Sequence, residues 1–165
     1  MNSFTQWLQA TGFSMFIRGS LYAYPVILAL HMVAIALFGG MILMTDLRLL
    51  GWTAGGLSVS DVVDRLRAPK IAGFIFAATC GLLLLIGNPE KYLANIFFRI
   101  KLVLFVLVAL HALAFRRGVY RQAAELDTAP RMPARARLAA CLSLLLWFSI
   151  ACAGRGIGYI VYRPD

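Results

Sequence analysis

Four stretches of the chain are apolar on every side, without the two-residue alternation of a half-buried strand. They run over about 21–44, 71–87, 96–115 and 138–162. Crossing a bilayer takes about 20 predominantly apolar residues, so all four are candidate membrane spans. Charges and breakers bound them. Arg18 precedes the first, and Asp46 and Arg48 follow it. Lys70 precedes the second, and Asn88-Pro89-Glu90-Lys91 follows it. Arg116-Arg117 closes the third, and Arg137 precedes the fourth. Lipid offers no hydrogen bonds to a bare backbone, so spans of this length are helices. The pattern predicts an all-α fold: one integral membrane domain over 1–165, built as a four-helix up-down bundle.

The segments between the spans carry other patterns. Within 3–17, Phe4, Trp7, Leu8 and Phe16 can share an apolar side while Gln6 and Gln9 face water. That predicts an N-terminal amphipathic helix at the membrane interface. A positive leader and a small-residue cleavage site are both missing there, so it is not read as a removable signal peptide. Ser58-Val59-Ser60-Asp61 ahead of Val62, Val63 and Leu66 predicts a capped helix lying on the inner surface. The segment 116–137, with Pro130 and Pro133, reads as a linker with one helical turn near 122–126.

Basic residues set the orientation. Loops 45–70 and 116–137 together hold ten Lys and Arg, against six in the termini, the middle loop and the adjoining span ends. The positive-inside rule places both loops in the cytoplasm and both termini on the outer side of the membrane.

Composition agrees with a lipid environment. The 165 residues are 61% hydrophobic and 14% charged, against about 45–50% and about 25% in soluble domains. Disorder and a disulfide-stapled secreted module are excluded. The net charge of +9 is spread over span ends, where it meets anionic headgroups. It forms no surface for nucleic acid.

Ionisable groups inside the spans are the candidates for chemistry. They are His31, Lys101, His111 and Arg155, and both histidines of the protein are among them. Imidazole is the common axial ligand of haem iron, so His31 and His111 are candidate metal ligands. The competing reading is a hydrogen bond from one helix to the next. Depth counted from the outer ends brings the two rings near one level, and depth counted from the inner ends separates them by about 15 Å. His31 is therefore the stronger ligand candidate. Lys101 and Arg155 approach the depth of His31, where cations suit haem propionates or an anionic quinone-like headgroup. Both side chains can also snorkel to the interface.

Weaker candidates complete the set. Cys80, Cys141 and Cys152 lack metal-site spacing and read as small packing residues. Met32, Met41 and Met44 near His31 offer thioethers for copper, although such a stripe more often packs. Gly154-x-Gly156-x-Gly158 is no dinucleotide fingerprint and reads as a site of close helix approach.

Three segments carry a family likeness. They are Leu28–Gly40 with Asp46-Leu47-Arg48-Leu49-Leu50-Gly51, Asn88–Asn95 with Phe98-Arg99-Ile100-Lys101, and Ala153–Tyr159. Together they resemble an uncharacterised family of bacterial four-span inner-membrane proteins. His31 and Ile100-Lys101-Leu102 are more distantly similar to HemJ-type protoporphyrinogen oxidases and CopD-type copper-resistance proteins. The HemJ resemblance implies a haem b ligand at His31 and a functionally required lysine at Lys101, with His111 near a further family histidine. The aromatic pattern that follows the first histidine in that family is missing here.

The expectation is a protein that binds haem b through His31 and His111, with Lys101 and Arg155 steadying the propionates. It would transfer electrons, with a quinone and other membrane or periplasmic redox subunits as partners. Two alternatives stay open. One is a cofactor-free membrane subunit or assembly scaffold. The other is a HemJ-like porphyrinogen-oxidising enzyme, an oxidoreductase.

Overall fold

The computed structural model describes residues 3–52, 58–115, 123–128 and 131–159. Helices α1 (Ser3–Gln9) and α2 (Gly12–Gly19) precede the long helices α3 (Ala23–Leu49) and α4 (Val59–Gly87). The short α5 (Pro89–Leu93) leads into α6 (Ile96–Phe115), and α7 (Ala123–Thr128) into α8 (Ala134–Gly156). No strand occurs among the described residues. Helices α3, α4, α6 and α8 are each long and apolar enough to cross a membrane, and the fold is a multi-pass, all-α membrane bundle. The end of span four near Tyr162, and the charges at Arg116, Arg117, Arg121 and Arg163, lie outside the described residues.

Exposure follows from lipid as the solvent. Helix α6 buries no residue, and α3 buries only Ala34, Phe38, Thr45, Asp46 and Leu49. The remaining side chains have no apolar core to seek, because hydrocarbon receives them equally well. Helix α4 packs along α3, α8 touches α3, and α6 leans on α8. Two interior clusters close the ends. At the α5 end, Leu84, Tyr92 and Ile157 pack with Tyr24, Ile27 and Phe97. At the α7 end, Leu49, Val59, Val63, Leu126, Ala136 and Ala140 pack together.

Two expectations are corrected. The N-terminal segment is two helices, not one. Thr11 caps α2 by accepting from the Ser14 N–H at 3.3 Å, while its hydroxyl donates to Leu8 O at 2.7 Å. Its docked side is Thr5, Ser14 and Ile17, and the Ser14 hydroxyl donates to Ile86 O at 2.8 Å. Phe4, Trp7, Phe13 and Phe16 all point outward, as an interfacial segment requires.

The capped helix at Ser58 does not lie apart on the surface; it is the first two turns of α4 itself. Ser58 Oγ accepts from the Asp61 N–H at 2.9 Å, and the helix then runs through Pro69. A proline inside a helix forfeits one backbone bond. Continuity survives because Val59 and Val63 are held in the α7-end cluster on one side of Pro69, and α3 holds the rest of α4 on the other. In the second loop the expected helical turn is present, as α7 over Ala123–Thr128. Helix α7 buries Leu126, and Asp127 accepts from the backbone N–H groups of Val59 and Ser60 and from the Ser60 hydroxyl. These are orphan donors of the first turn of α4.

Candidate functional site in the bundle interior

The polar side chains of the interior occupy two levels. Toward the α5 end, the His31 Nδ1 lies 2.9 Å from Ala77 O. A carbonyl only accepts, so Nδ1 carries the proton and the neutral ring keeps its lone pair on Nε2. The ring edge rests on α4 where it has no side chain: a Cβ on Gly81 would stand 3.1 Å from His31 Cε1. Lys101 of α6 enters the same level. Its Nζ lies beside Gly154 of α8 and 5.7 Å from the Phe105 ring centroid, and its charge reaches His31. Arg155 does not join them. It is exposed, with its guanidinium carbon 5.3 Å from the Tyr159 ring centroid.

Toward the α7 end, four helices enclose a cavity of about 180 Å³. Thr45 and Asp46 of α3, Lys70 of α4, His111 of α6 and Ser143 of α8 supply its polar groups. Lys70 Nζ donates to Thr45 Oγ1 at 3.0 Å, and the Thr45 hydroxyl donates to Met41 O at 2.9 Å. The Ser143 hydroxyl donates to the Asp46 carboxylate, which also feels the charge of Lys70. Asp46 Oδ2 and His111 Nδ1 are buried and have no hydrogen-bond partner. Each such atom costs about 1–3 kcal/mol if nothing satisfies it.

Aromatic side chains separate the levels. Trp147 meets Phe38 edge-on at 5.0 Å and Phe105 at 6.2 Å, and Phe38 meets Phe74 at 5.7 Å. The rise along α3 from His31 to Asp46 is about 22 Å, at about 1.5 Å per residue. His31 and His111 are therefore not brought together, and the interior between their levels is filled by rings. A single iron held between the two imidazoles does not fit this arrangement. The cavity beside His111 is also smaller than the ~300–1,000 Å³ of sites that enclose drug-sized ligands.

Residues 4–160 match a family of unknown function (DUF6644). The chain belongs to that family. The match spans both levels of the interior, so His31, Lys101, Asp46 and His111 all lie within the family's domain. No curated protein and no solved structure matches the chain, and no likeness to HemJ-type or CopD-type proteins emerges.

Asp46 and Lys70 are the site residues that pattern reading passed over. Ending the first span at Met44 and starting the second at Ile71 puts both in a loop. The helices run further, to Leu49 and from Val59, and carry both side chains into the bundle. One signal was available: opposite charges stand at the facing ends of two consecutive spans. The methionines, in contrast, separate as packing residues do. Met41 rests on Gly73, while Met32 and Met44 are exposed.

Proposed function

We propose that this protein binds a small hydrogen-bonding guest in the cavity at the α7 end and exchanges protons with it inside the membrane. One observation carries the reading: Asp46 Oδ2 and His111 Nδ1, both buried and both without partners, line the same cavity. Ionisable groups that face a bundle interior mark proton relays and ion paths. A carboxyl and an imidazole on different helices can each give or take a proton, and a guest between them completes the chain of hydrogen bonds. Lys70, held by Thr45, brings a positive charge to the same cavity.

Infrared difference spectroscopy on protein reconstituted in lipid tests this. Changing pH is expected to shift a carboxyl band that moves in D₂O, vanishes in Asp46→Asn and changes its titration in His111→Gln. A carboxyl band indifferent to His111→Gln would overturn the reading, since the two groups would not share a guest.

A second reading keeps haem b at His31 and a role in electron transfer with redox subunits. The observation in its favour is the Nδ1 bond to Ala77 O, since fixing one ring nitrogen on a carbonyl leaves the other free to ligate. His31 alone would supply the ligand, and Lys101 would be the nearest cation for a propionate. A visible spectrum after haem-replete expression decides it. A Soret band that His31→Ala removes and His111→Ala preserves is expected; a colourless protein discards it.

A further inference from the structure

His111 has a second surroundings. Besides the polar cavity, it lines an open groove of about 350 Å³ between α6 and α8, whose other walls include Leu107, Leu110, Ala114, Leu142 and Leu146. Phe115, whose ring centroid is 4.8 Å from that of His111, also borders both spaces. The two rings stand where the cavity meets the groove. One space is small and partly polar; the other is almost wholly apolar and opens on the flank of two spanning helices. In a bilayer that flank faces hydrocarbon chains.

We infer that the guest is a tailed amphiphile of the isoprenoid hydroquinone class. Its ring enters the cavity past His111 and Phe115, and its tail lies in the groove between α6 and α8. This rests on the cavity reading above and adds the identity and route of the guest. A flat ring suits the walls, because Phe38, Trp147 and Phe115 line the cavity, and aromatic faces hold planar rings in offset or edge-on contact. Two ring oxygens suit the two orphan atoms. In the hydroquinone one hydroxyl donates to Asp46 Oδ2, and in the quinone the same oxygen accepts from the protonated Asp46 carboxyl, a stronger donor than an amide. The other oxygen meets His111 Nδ1, the hydroquinone hydroxyl as donor or acceptor and the quinone oxygen as acceptor from the Nδ1–H tautomer. A tail gains little by leaving lipid for an apolar groove. The groove therefore acts as a passage, and its effect is steric.

The test uses the intact protein in lipid nanodiscs. Trp7→Phe and Trp52→Phe leave Trp147, in the cavity wall, as the sole tryptophan. Quenching of Trp147 by a decyl-tailed benzoquinone and by its tail-less parent is titrated at equal concentrations in the membrane. Both are expected to quench saturably, and Asp46→Asn weakens both. Ala114→Phe, which fills the groove from an exposed position, is expected to weaken the tailed probe about tenfold, or about 1.4 kcal/mol, and to leave the tail-less one unchanged. Leu142→Phe provides a second block should Ala114→Phe fail to accumulate. Equal behaviour of the tailed probe in parent and blocked proteins would overturn the passage while the cavity reading stands. Displacement of the tailed quinone by decanoic acid or decanol at equal membrane concentration would overturn the quinone class. Absence of saturable quenching by either probe would overturn the inference, and the infrared bands then judge the cavity reading separately.

Discussion

The two polar levels are built on opposite terms. Near the α5 end, His31 has committed its Nδ1 to Ala77 O and its ring edge to Gly81, so the side chain joins α3 to α4. Near the α7 end, Asp46 and His111 each hold an atom in reserve. The histidines look equivalent as letters in a hydrophobic run. In the bundle, one is anchored by helix packing and the other borders both a cavity and a groove. Burial alone does not mark a functional group; a buried group with unspent hydrogen-bonding capacity does.

The sharpest way to break this contrast is to delete Asp46. Asp46→Ala removes the carboxylate beside the Lys70 ammonium and leaves the Ser143 hydroxyl without its acceptor. Breaking a buried pair in this way costs about 3 kcal/mol or more. Asp46→Asn keeps the volume and is expected to cost less. His31→Ala gives up one bond to a neutral carbonyl, about 1 kcal/mol, together with the packing of the ring. Reversible unfolding in mixed micelles measures all three. A larger loss for His31→Ala than for Asp46→Ala would show that the charge of Asp46 is not balanced by Lys70 and Ser143 in the folded bundle.

Gly81 sharpens the other half. A methyl group there would stand 3.1 Å from His31 Cε1, closer than ordinary contact. Gly81→Ala is expected to cost about 1–2 kcal/mol through overpacking. The cost should shrink when His31→Ala is also present, by a coupling above about 0.5 kcal/mol. Simple additivity of the two losses would show that the ring does not rest on this glycine.

Much of the fold was legible from hydropathy because lipid imposes one rule on every span. The bundle and its four long helices follow from run length alone. The N-terminal break was not legible from apolar positions, since Thr11 and Gly12 act through a cap. The union of the Ser58 segment with the second span was hidden by Pro69, normally a sign of termination. Of the site, His31, Lys101 and His111 were found because an ionisable group in hydrocarbon is conspicuous. Their grouping was not, because two parallel helices of unequal length give no common zero for depth. Asp46 and Lys70 were hidden by a boundary rule that stops each span at its first charge, although a paired charge continues inward at lower cost.

The smallest expected effect lies outside the spanning segments and probes how the α7 end is closed. The Ser60 hydroxyl, above all, holds the Asp127 carboxyl below its ordinary value of 3.8; loss of solvent opposes it, and the Val59 and Ser60 N–H groups and the Arg48 charge add to the lowering. A carboxyl depressed by folding contributes stability above its unfolded value and loses it as pH falls through the folded one. The attachment of α7 to the start of α4 is therefore expected to persist at neutral pH and to weaken only below about pH 3.8. Hydrogen exchange at the Val59 and Ser60 amides reads this directly. Protection falls with acid in the parent protein, and in Asp127→Asn it is lower from the outset and insensitive to pH. The same acid-dependent fall in Asp127→Asn would assign the closure to another carboxylate and leave α7 held by Leu126 alone. Because Asp127 is exposed and Asp46 is buried, the two substitutions also separate a surface latch from an interior charge: the first should relax one helix end, the second the whole bundle.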